Sequence, residues 1–219
     1  MEIDFATARQ RMVDNQIRTT DVTAHELLDS LLSVPRENFV PESAKPLAYI
    51  DTDIELETAD RFILEPSPLA KLLQAAEVIS SDNVLEVGTG TGYVAAVLSS
   101  MADKVTALEV DSALAETAKS TLTDGGYDNV SVVTGALSQG HKASGPFDVI
   151  FVNGAIEIEP KSLFDQLAEG GRLIAVIGHG LAAQAFVFQK ESGAVSSRKL
   201  FNSAIPALPG FERTAEFVF

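Results

Sequence analysis

The stretch from Val84 to Tyr93 reads Val-Leu-Glu-Val-Gly-Thr-Gly-Thr-Gly-Tyr and decides the fold of this chain. Its apolar start is typical of a buried strand, and its glycines predict a tight turn that leads into a helix. Glycine lets the backbone approach a ligand closely, so the turn indicates a binding site at the end of the strand. A nicotinamide fingerprint has its third glycine three residues after the second, whereas here Gly92 follows Gly90 by two residues. The spacing therefore favours S-adenosylmethionine over NAD.

After the glycine turn, short β-rich runs alternate with helical stretches. Parallel strands joined by crossover helices produce this alternation, which predicts a Rossmann-like α/β fold with a mostly parallel sheet. The expected parallel strands are Asn83 to Val87, Val105 to Glu109, Val130 to Val133, Asp148 to Val152 and Arg172 to Ile177. Three later runs have no helix between them and predict antiparallel strands at one edge of the sheet. They are Ala185 to Gln189, Ser197 to Phe201 and Glu212 to Phe219.

Residues 1–66 are predicted to form a helical and loop segment that completes the substrate side of the molecule. Apolar positions recur at helical spacing over residues 5–32, and Thr23 with Glu26 has the pattern of a capping box for the second helix. Four prolines within residues 35–66 indicate extended, loop-rich chain.

The second unit is predicted to begin at residue 67. Ser67 followed by Pro68 has the pattern of a helix N-cap with proline at the first helical position, so a helix is expected over residues 68–79. We therefore place a single Rossmann-like, S-adenosylmethionine-binding domain at residues 67–219.

The composition excludes several classes of function. The chain has 16 Lys and Arg against 31 Asp and Glu, and this net charge of −15 makes nucleic acid an unfavourable partner. It has no cysteine, which excludes disulfides, thiolate metal sites and a thiol nucleophile. Its start lacks the features of a signal peptide, and no apolar run reaches the roughly eighteen residues of a membrane span. We expect a cytoplasmic protein with no membrane partner and no metal.

A carboxylate at the end of the second strand supports the ligand assignment. Glu109 lies at the distance from the glycine turn at which such folds hold a ribose. Because a carboxylate can accept hydrogen bonds from both ribose hydroxyls, Glu109 is a candidate cofactor ligand, and Glu86 is a second candidate. For each acid the alternative is a purely structural role.

Further motifs are spread over nearly the whole chain. Residues 34–41 read Val-Pro-Arg-Glu-Asn-Phe-Val-Pro, residues 147–150 read Phe-Asp-Val-Ile and residues 170–173 read Gly-Gly-Arg-Leu. With the glycine turn, they resemble the V-P-R-E-x-F-V-P, V-L-E-I-G-T-G-S-G-Y, F-D-x-I and G-G-x-L stretches of the protein-L-isoaspartate O-methyltransferase family.

The resemblance implies a fold, an activity and a cofactor site. The fold is a seven-stranded, mostly parallel sheet with helices on both faces, antiparallel strands at one edge and a helical N-terminal extension. The activity is methyl transfer from S-adenosylmethionine, with S-adenosylhomocysteine as product, to an isoaspartyl carboxylate in protein repair. The implied cofactor-binding residues are Ile63, Leu64, Glu86, Gly88, Thr89, Gly90, Gly92, Glu109, Val110, Ala136, Leu137 and Asn153.

The loop that carries the family's catalytic serine differs in this chain. The family's Q-T-I-S-x-P stretch corresponds to residues 61–66, Arg-Phe-Ile-Leu-Glu-Pro, so Leu64 stands at the serine position. Leucine neither donates nor accepts a hydrogen bond, and the family's preceding glycines are replaced here by Thr58, Ala59 and Asp60. We therefore assign no catalytic residue and expect isoaspartyl activity to be weak or redirected.

A second difference lies beside the expected position of the adenine. The family has G-D-G where this chain has Gly135, Ala136 and Leu137, so Ala136 supplies no carboxylate to a nucleoside. A main-chain contact does not depend on the side chain, and the amides of Ala136 and Leu137 can still reach adenine. A weaker but retained cofactor site is expected.

Three hypotheses stay open: an isoaspartyl methyltransferase, a methyltransferase with another acceptor, and a cofactor-binding protein without catalysis. The partner is accordingly a protein or peptide with an isoaspartyl residue, or an unidentified methyl acceptor. An anionic substrate would be opposed by five acids, which we interpret as solvated loop residues. They are Asp51, Asp53, Glu55, Glu57 and Asp60.

Overall fold

The structure is a computed structural model that describes residues 3–57 and 60–212. Two short strands, β1 (Ile54–Glu55) and β2 (Phe62–Ile63), pair as an antiparallel hairpin. Seven further strands form one sheet: β3 (Asn83–Val87), β4 (Lys104–Glu109), β5 (Val130–Thr134), β6 (Phe147–Ile156), β7 (Leu167–Ile177), β8 (Gln184–Glu191) and β9 (Ala194–Asn202).

The sheet has the strand order β5-β4-β3-β6-β7-β8-β9. The neighbours from β5 through β7 pair in parallel, and β8 and β9 pair antiparallel at one edge. The predicted Rossmann-like fold is therefore confirmed, and every predicted strand up to residue 201 lies on an observed strand. The run expected over Glu212 to Phe219 lies outside the described residues from position 213 onward, as do Thr58 and Ala59.

Six α-helices accompany the strands in the described part of the chain. They are α1 (Phe5–Met12), α2 (His25–Ser33), α3 (Pro66–Ala75), α4 (Tyr93–Ser99), α5 (Ser112–Asp124) and α6 (Lys161–Phe164). A π-helical turn, Val13–Ile17, continues α1, and short 3-10 turns include Arg36–Asn38, Glu42–Leu47 and Leu137–Gln139. Among the residues that the structure describes, no helix is both long and apolar enough to cross a membrane.

Two apolar clusters lie on the two faces of the sheet. Alternate residues of a strand point to opposite faces, and Val84 of β3 accordingly belongs to one cluster while Leu85 belongs to the other. The first cluster joins the sheet to the N-terminal segment and to α3, α4 and α5. Because this cluster contains residues from both sides of position 66, the two predicted units share one core; the division at that residue stays a prediction.

The start of α2 is held by a side chain from another helix. Its N-cap is Ala24, which has no side-chain hydrogen bond to offer. Instead, Oε1 of Gln74 on α3 accepts hydrogen bonds from the amides of Thr23 at 2.7 Å and Ala24 at 3.0 Å. The predicted capping box of Thr23 and Glu26 is therefore wrong, because a distant amide oxygen satisfies the donors that a local cap would satisfy.

The start of α3 also differs from the prediction. The helix begins at Pro66 rather than Pro68, so Ser67 lies inside it and is not its N-cap. Asp53 Oδ1 accepts a hydrogen bond from the amide of Glu65 at 2.9 Å, and Asp51 Oδ1 accepts from the amide of Ser67 at 3.2 Å. These two acids, interpreted from the sequence as solvated, bind the positive end of α3.

Candidate functional site

The glycine turn connects β3 to α4 and needs glycine for two physical reasons. Gly88, Gly90 and Gly92 have φ values of +88°, +59° and +96°, in the left-handed region that side chains disfavour. A Cβ atom at Gly88 would also lie 2.7 Å from Cδ2 of Leu208. The turn is therefore a tight cradle at the carboxyl end of the central strand, where ligands of open α/β sheets bind.

Glu109 lies at the end of β4, next to this turn. Its side chain is fully buried. Oε2 accepts a hydrogen bond from the amide of Gly90 at 2.7 Å, and Oε1 accepts from the amides of Val110 at 2.8 Å and Asp111 at 3.2 Å. The carboxylate thus joins the glycine turn to the end of the neighbouring strand.

Arg61 is the residue of this site that the sequence did not single out. Its guanidinium is 3% exposed and forms an ion pair with Glu109, with 2.5 Å between Nη1 and Oε1. Nη2 donates to the carbonyl oxygen of Gly88 at 2.9 Å. The available signal was its place in the Q-T-I-S-x-P stretch, where the family has glutamine and this chain has a cation.

Glu86 is the second buried carboxylate near the turn. Its Oε2 accepts from Oγ1 of Thr89 at 2.7 Å, and its Oε1 accepts from Nδ2 of Asn153 at 2.9 Å. Burial raises the pKa of Glu86 to about 7, although the hydrogen bonds from Thr89 and Asn153 lower it in part. Glu86 therefore links the glycine turn to β6, and its contribution to the free energy of unfolding depends on pH.

Replacing Glu86 with glutamine is expected to raise the free energy of unfolding, relative to the wild type, by more at pH 8 than at pH 5. The ordinary pKa is 4.5 and the folded value is about 7. The stabilising contribution is therefore present below about pH 4.5 and is lost as the pH rises through about 7. A glutamine removes this loss, which amounts to up to about 3 kcal/mol. Oδ1 of Asn153 has no partner among the described residues, so a turned Asn153 amide can accept from the new amide.

Urea unfolding of the wild type and of the Glu86→Gln variant at pH 5 and pH 8 measures this difference. Glu116→Gln, on the exposed side of α5, is the matched control and should show no such change between the two pH values. A Glu86→Gln effect that is equal at both pH values would contradict the prediction.

The structure brings the other predicted site residues to adjacent strand ends. The amide of Gly135 donates to the carbonyl of Glu109 at 2.9 Å, which holds the loop after β5 beside the end of β4. On this loop Ala136 is exposed and Leu137 is buried. Val110 is 44% exposed. Val110 and Ala136 therefore keep exposed surface on the two loops next to the buried Glu109.

Leu64 follows strand β2 and has its side chain buried in the first core cluster, 2% exposed. Its carbonyl oxygen accepts from Nη2 of Arg36 at 2.8 Å, and Nε of Arg36 donates to the carbonyl of Ala48 at 2.7 Å. The fully buried Arg36 thus ties the loop of the missing serine to the 34–41 motif. At this position the chain offers an apolar side chain and no hydroxyl.

The β1-β2 hairpin lies on the glycine turn. A Cβ atom at Gly90 would be 3.2 Å from Cδ1 of Leu56, and Oγ1 of Thr91 donates to the carbonyl of Phe39 at 2.5 Å. A cavity of about 190 Å³ lies between these parts, lined largely by apolar side chains that include Val40 and Leu114. This cavity is a candidate place for an acceptor side chain.

No group of three or more His, Asp or Glu suited to a metal ion occurs within residues 3–57 and 60–212. His179 Nε2 lies 3.0 Å from Oε1 of Glu157, in the loops after β7 and β6.

Comparison with known proteins gives one consistent family. A family model described as protein-L-isoaspartate(D-aspartate) O-methyltransferase matches residues 7–206. A protein-L-isoaspartate O-methyltransferase of Koribacter versatilis is 39% identical over 196 residues, covering 90% of this chain and 88% of the relative. One from Roseiflexus sp. is 34% identical over 215 residues, covering 98% of each chain.

Solved structures agree with this result. A protein-L-isoaspartate O-methyltransferase superposes with a TM-score of 0.82 at 27% identity, covering 93% of this chain and 67% of that one. A Plasmodium falciparum structure assigned to the same activity, in complex with S-adenosyl-L-homocysteine, gives a TM-score of 0.80 at 22% identity, covering 95% of this chain and 100% of that one; this likeness bears on the fold alone. The chain belongs to the protein-L-isoaspartate O-methyltransferase family, whose members are S-adenosylmethionine-dependent methyltransferases.

Proposed function

We propose that this chain binds S-adenosylmethionine and transfers its methyl group, with an activity toward isoaspartyl carboxylates that is weak or redirected to another acceptor. The observation that carries the proposal is the joint placement of the glycine turn and Glu109, linked through the amide of Gly90 at 2.7 Å. Family membership supports the same chemistry.

The residues present fit the nucleoside part of this cofactor. The glycine turn lies at the carboxyl end of the central strand, where ligands of such sheets bind, and Glu109 beside it has the chemistry that binds ribose hydroxyls. Val110 and the main-chain amides of Ala136 and Leu137 are assigned to the adenine. The proposed cofactor-binding set is Ile63, Leu64, Glu86, Gly88, Thr89, Gly90, Gly92, Glu109, Val110, Ala136, Leu137 and Asn153.

Within this set we propose two roles. Glu86 is fully buried and its two oxygens bind Thr89 and Asn153, so its contribution is to shape the turn. Leu64 has its side chain in the first core cluster and its carbonyl bound by Arg36, so it offers no polar side-chain contact to a cofactor. Direct polar contacts with the cofactor therefore fall to Glu109 and to main-chain groups.

The chemistry requires little from the protein beyond alignment. When bound, S-adenosylmethionine supplies a methyl group on a positively charged sulfur. An acceptor carboxylate is ionised at neutral pH and needs no general base. The chain's part is to orient the acceptor and exclude water, which the buried Leu56 and Ile63 of the hairpin and the apolar cavity beside Thr91 are suited to do.

A cofactor-binding protein with another methyl acceptor, or without catalysis, is the second candidate. Leu64 favours it, because the chain has no hydroxyl at the serine position. The net charge of the chain, −15, also opposes an anionic acceptor.

The test combines a binding and a turnover measurement on the unaltered protein. Calorimetric titration with S-adenosylhomocysteine should show one site, and methyl transfer is followed with an isoaspartyl peptide and with its aspartyl counterpart as control. Binding with slow, isoaspartyl-specific transfer supports the first candidate, and binding without transfer supports the second. No binding would overturn both.

The compartment and partners follow from the composition. We assign the protein to the cytoplasm, since the absence of cysteine fits a reducing compartment. A protein or peptide substrate is favoured over nucleic acid because of the net charge of −15.

A further inference from the structure

The carboxylate of Glu109 is closed to a ribose in this structure. Each carboxylate oxygen offers about two lone-pair sites. Oε1 already accepts from Nη1 of Arg61 and from the amides of Val110 and Asp111, whereas Oε2 accepts from the amide of Gly90 alone. The Glu109 side chain is 0% exposed. A ribose hydroxyl can therefore bind Oε1 only after one of its donors has left, and it can reach the carboxylate at all only after the group that covers it has moved.

Arg61 is the donor that can leave. Among the donors that the described residues supply to Glu109, the other three are main-chain amides of the glycine turn and of the β4 end. Moving those amides would require refolding of the turn. The guanidinium, by contrast, is the end of a flexible side chain.

Both terminal nitrogens of the Arg61 guanidinium are hydrogen-bonded. It donates to Oε1 of Glu109 and, through Nη2, to the carbonyl of Gly88. The pair is buried, with side chains 3% and 0% exposed, so solvent does not compete for it. The bridge therefore covers the acid and the first glycine of the turn together.

We propose that Arg61 acts as an internal competitor of the cofactor, so that S-adenosylmethionine binds only by displacing this guanidinium from Glu109. The inference rests on the proposed cofactor site. It makes Arg61 a determinant of cofactor affinity. The apparent Kd equals the intrinsic Kd divided by the fraction of molecules in which the carboxylate is free. A bridge that forms in about nine-tenths of the molecules therefore weakens binding about tenfold.

A second side chain near Gly88, that of Leu208, provides a control for the role of Arg61. Leu208 lies over Gly88 and Gly154, in a segment whose Leu208 amide donates to the carbonyl of Ala155 at 2.7 Å. Its apolar side chain cannot form a hydrogen bond with the carboxylate of Glu109. Leu208→Ala therefore distinguishes general crowding of the turn from competition for the carboxylate.

The test is calorimetric titration of the full chain with S-adenosylhomocysteine, which avoids the sulfonium charge. Arg61→Gln is expected to bind it about tenfold tighter or more than the wild type. Arg18→Gln is the matched control: it removes the same charge from an exposed pair with Asp14 and should leave affinity unchanged. In a Glu109→Ala background, Arg61→Gln should bring no further gain, because no carboxylate is left to compete for.

Arg61→Lys guards against a folding defect of the glutamine variant. It keeps the charge but replaces the two nitrogens that bind Glu109 and Gly88 with a single one, so a smaller gain is expected. The inference is overturned if the wild type binds S-adenosylhomocysteine and the folded Arg61→Gln variant shows no gain in affinity. It is also overturned if only Leu208→Ala gains affinity. Both results leave the proposed function standing. If Arg61→Gln fails to fold, Arg61→Lys decides by the same criterion. No binding by any of these proteins overturns the proposed cofactor site and the inference together.

Discussion

Replacing Glu109 with alanine is expected to lower the free energy of unfolding by about 3–5 kcal/mol. The variant leaves the guanidinium of Arg61, which is 3% exposed, without its anionic partner in the protein interior. An uncompensated buried charge costs far more than the loss of an exposed pair. Binding of S-adenosylhomocysteine should weaken as well, by about 1–3 kcal/mol, since the ribose loses its charged acceptor.

Urea unfolding measures the stability loss, and the chain offers a matched control. Glu42 and Lys45 form an exposed pair with 2.6 Å between Oε2 and Nζ. Glu42→Ala should cost less than about 1 kcal/mol. The double variant Glu109→Ala with Arg61→Leu should recover part of the loss, because it removes the orphaned charge. A Glu109→Ala loss no larger than that of Glu42→Ala would mean that the pair is not buried in solution.

Methylation of an isoaspartyl peptide is expected to be about ten- to a thousandfold slower than in a family member that has the serine. One hydrogen bond to the acceptor or to the transition state is worth about 1–4 kcal/mol, and Leu64 cannot make it. Restoring the hydroxyl alone should recover little. Leu64 is 2% exposed, so its truncation also costs about 2–5 kcal/mol of stability.

Leu64→Ala is the control that isolates the hydroxyl, because it leaves a similar cavity without the oxygen. The ratio of the methylation rates of Leu64→Ser and Leu64→Ala then measures the contribution of the hydrogen bond to catalysis. Asp60 has a φ of +49°, a conformation that glycine adopts without strain, so Asp60→Gly should be tolerated. Glycines at positions 58–60 together with the serine should recover more activity than either change. Rapid turnover by the unaltered protein would refute the expectation.

Local patterns along the chain were sufficient for the sheet. The predicted strand Asn83 to Val87 has the same bounds as β3, because Val84, Leu85 and Val87 are typical of a buried strand and the glycine turn ends it. The glycine spacing at 88, 90 and 92 likewise predicted a turn whose positive φ values only glycine adopts easily. Such features depend on neighbours in sequence and can be recognised there.

Tertiary structure decided which side chains meet. Gln74 caps the start of α2 from 51 residues away, and Asp51 binds the start of α3 in place of the local serine. Arg61 reaches Glu109 across 48 residues. None of these partners follows a helical or strand period, so no sequence pattern marks them. The sequence alone therefore determined the fold and the position of the glycine turn. The burial of Glu109 under Arg61 was decided by the tertiary structure, because a long-range ion pair depends on geometry that no local spacing encodes.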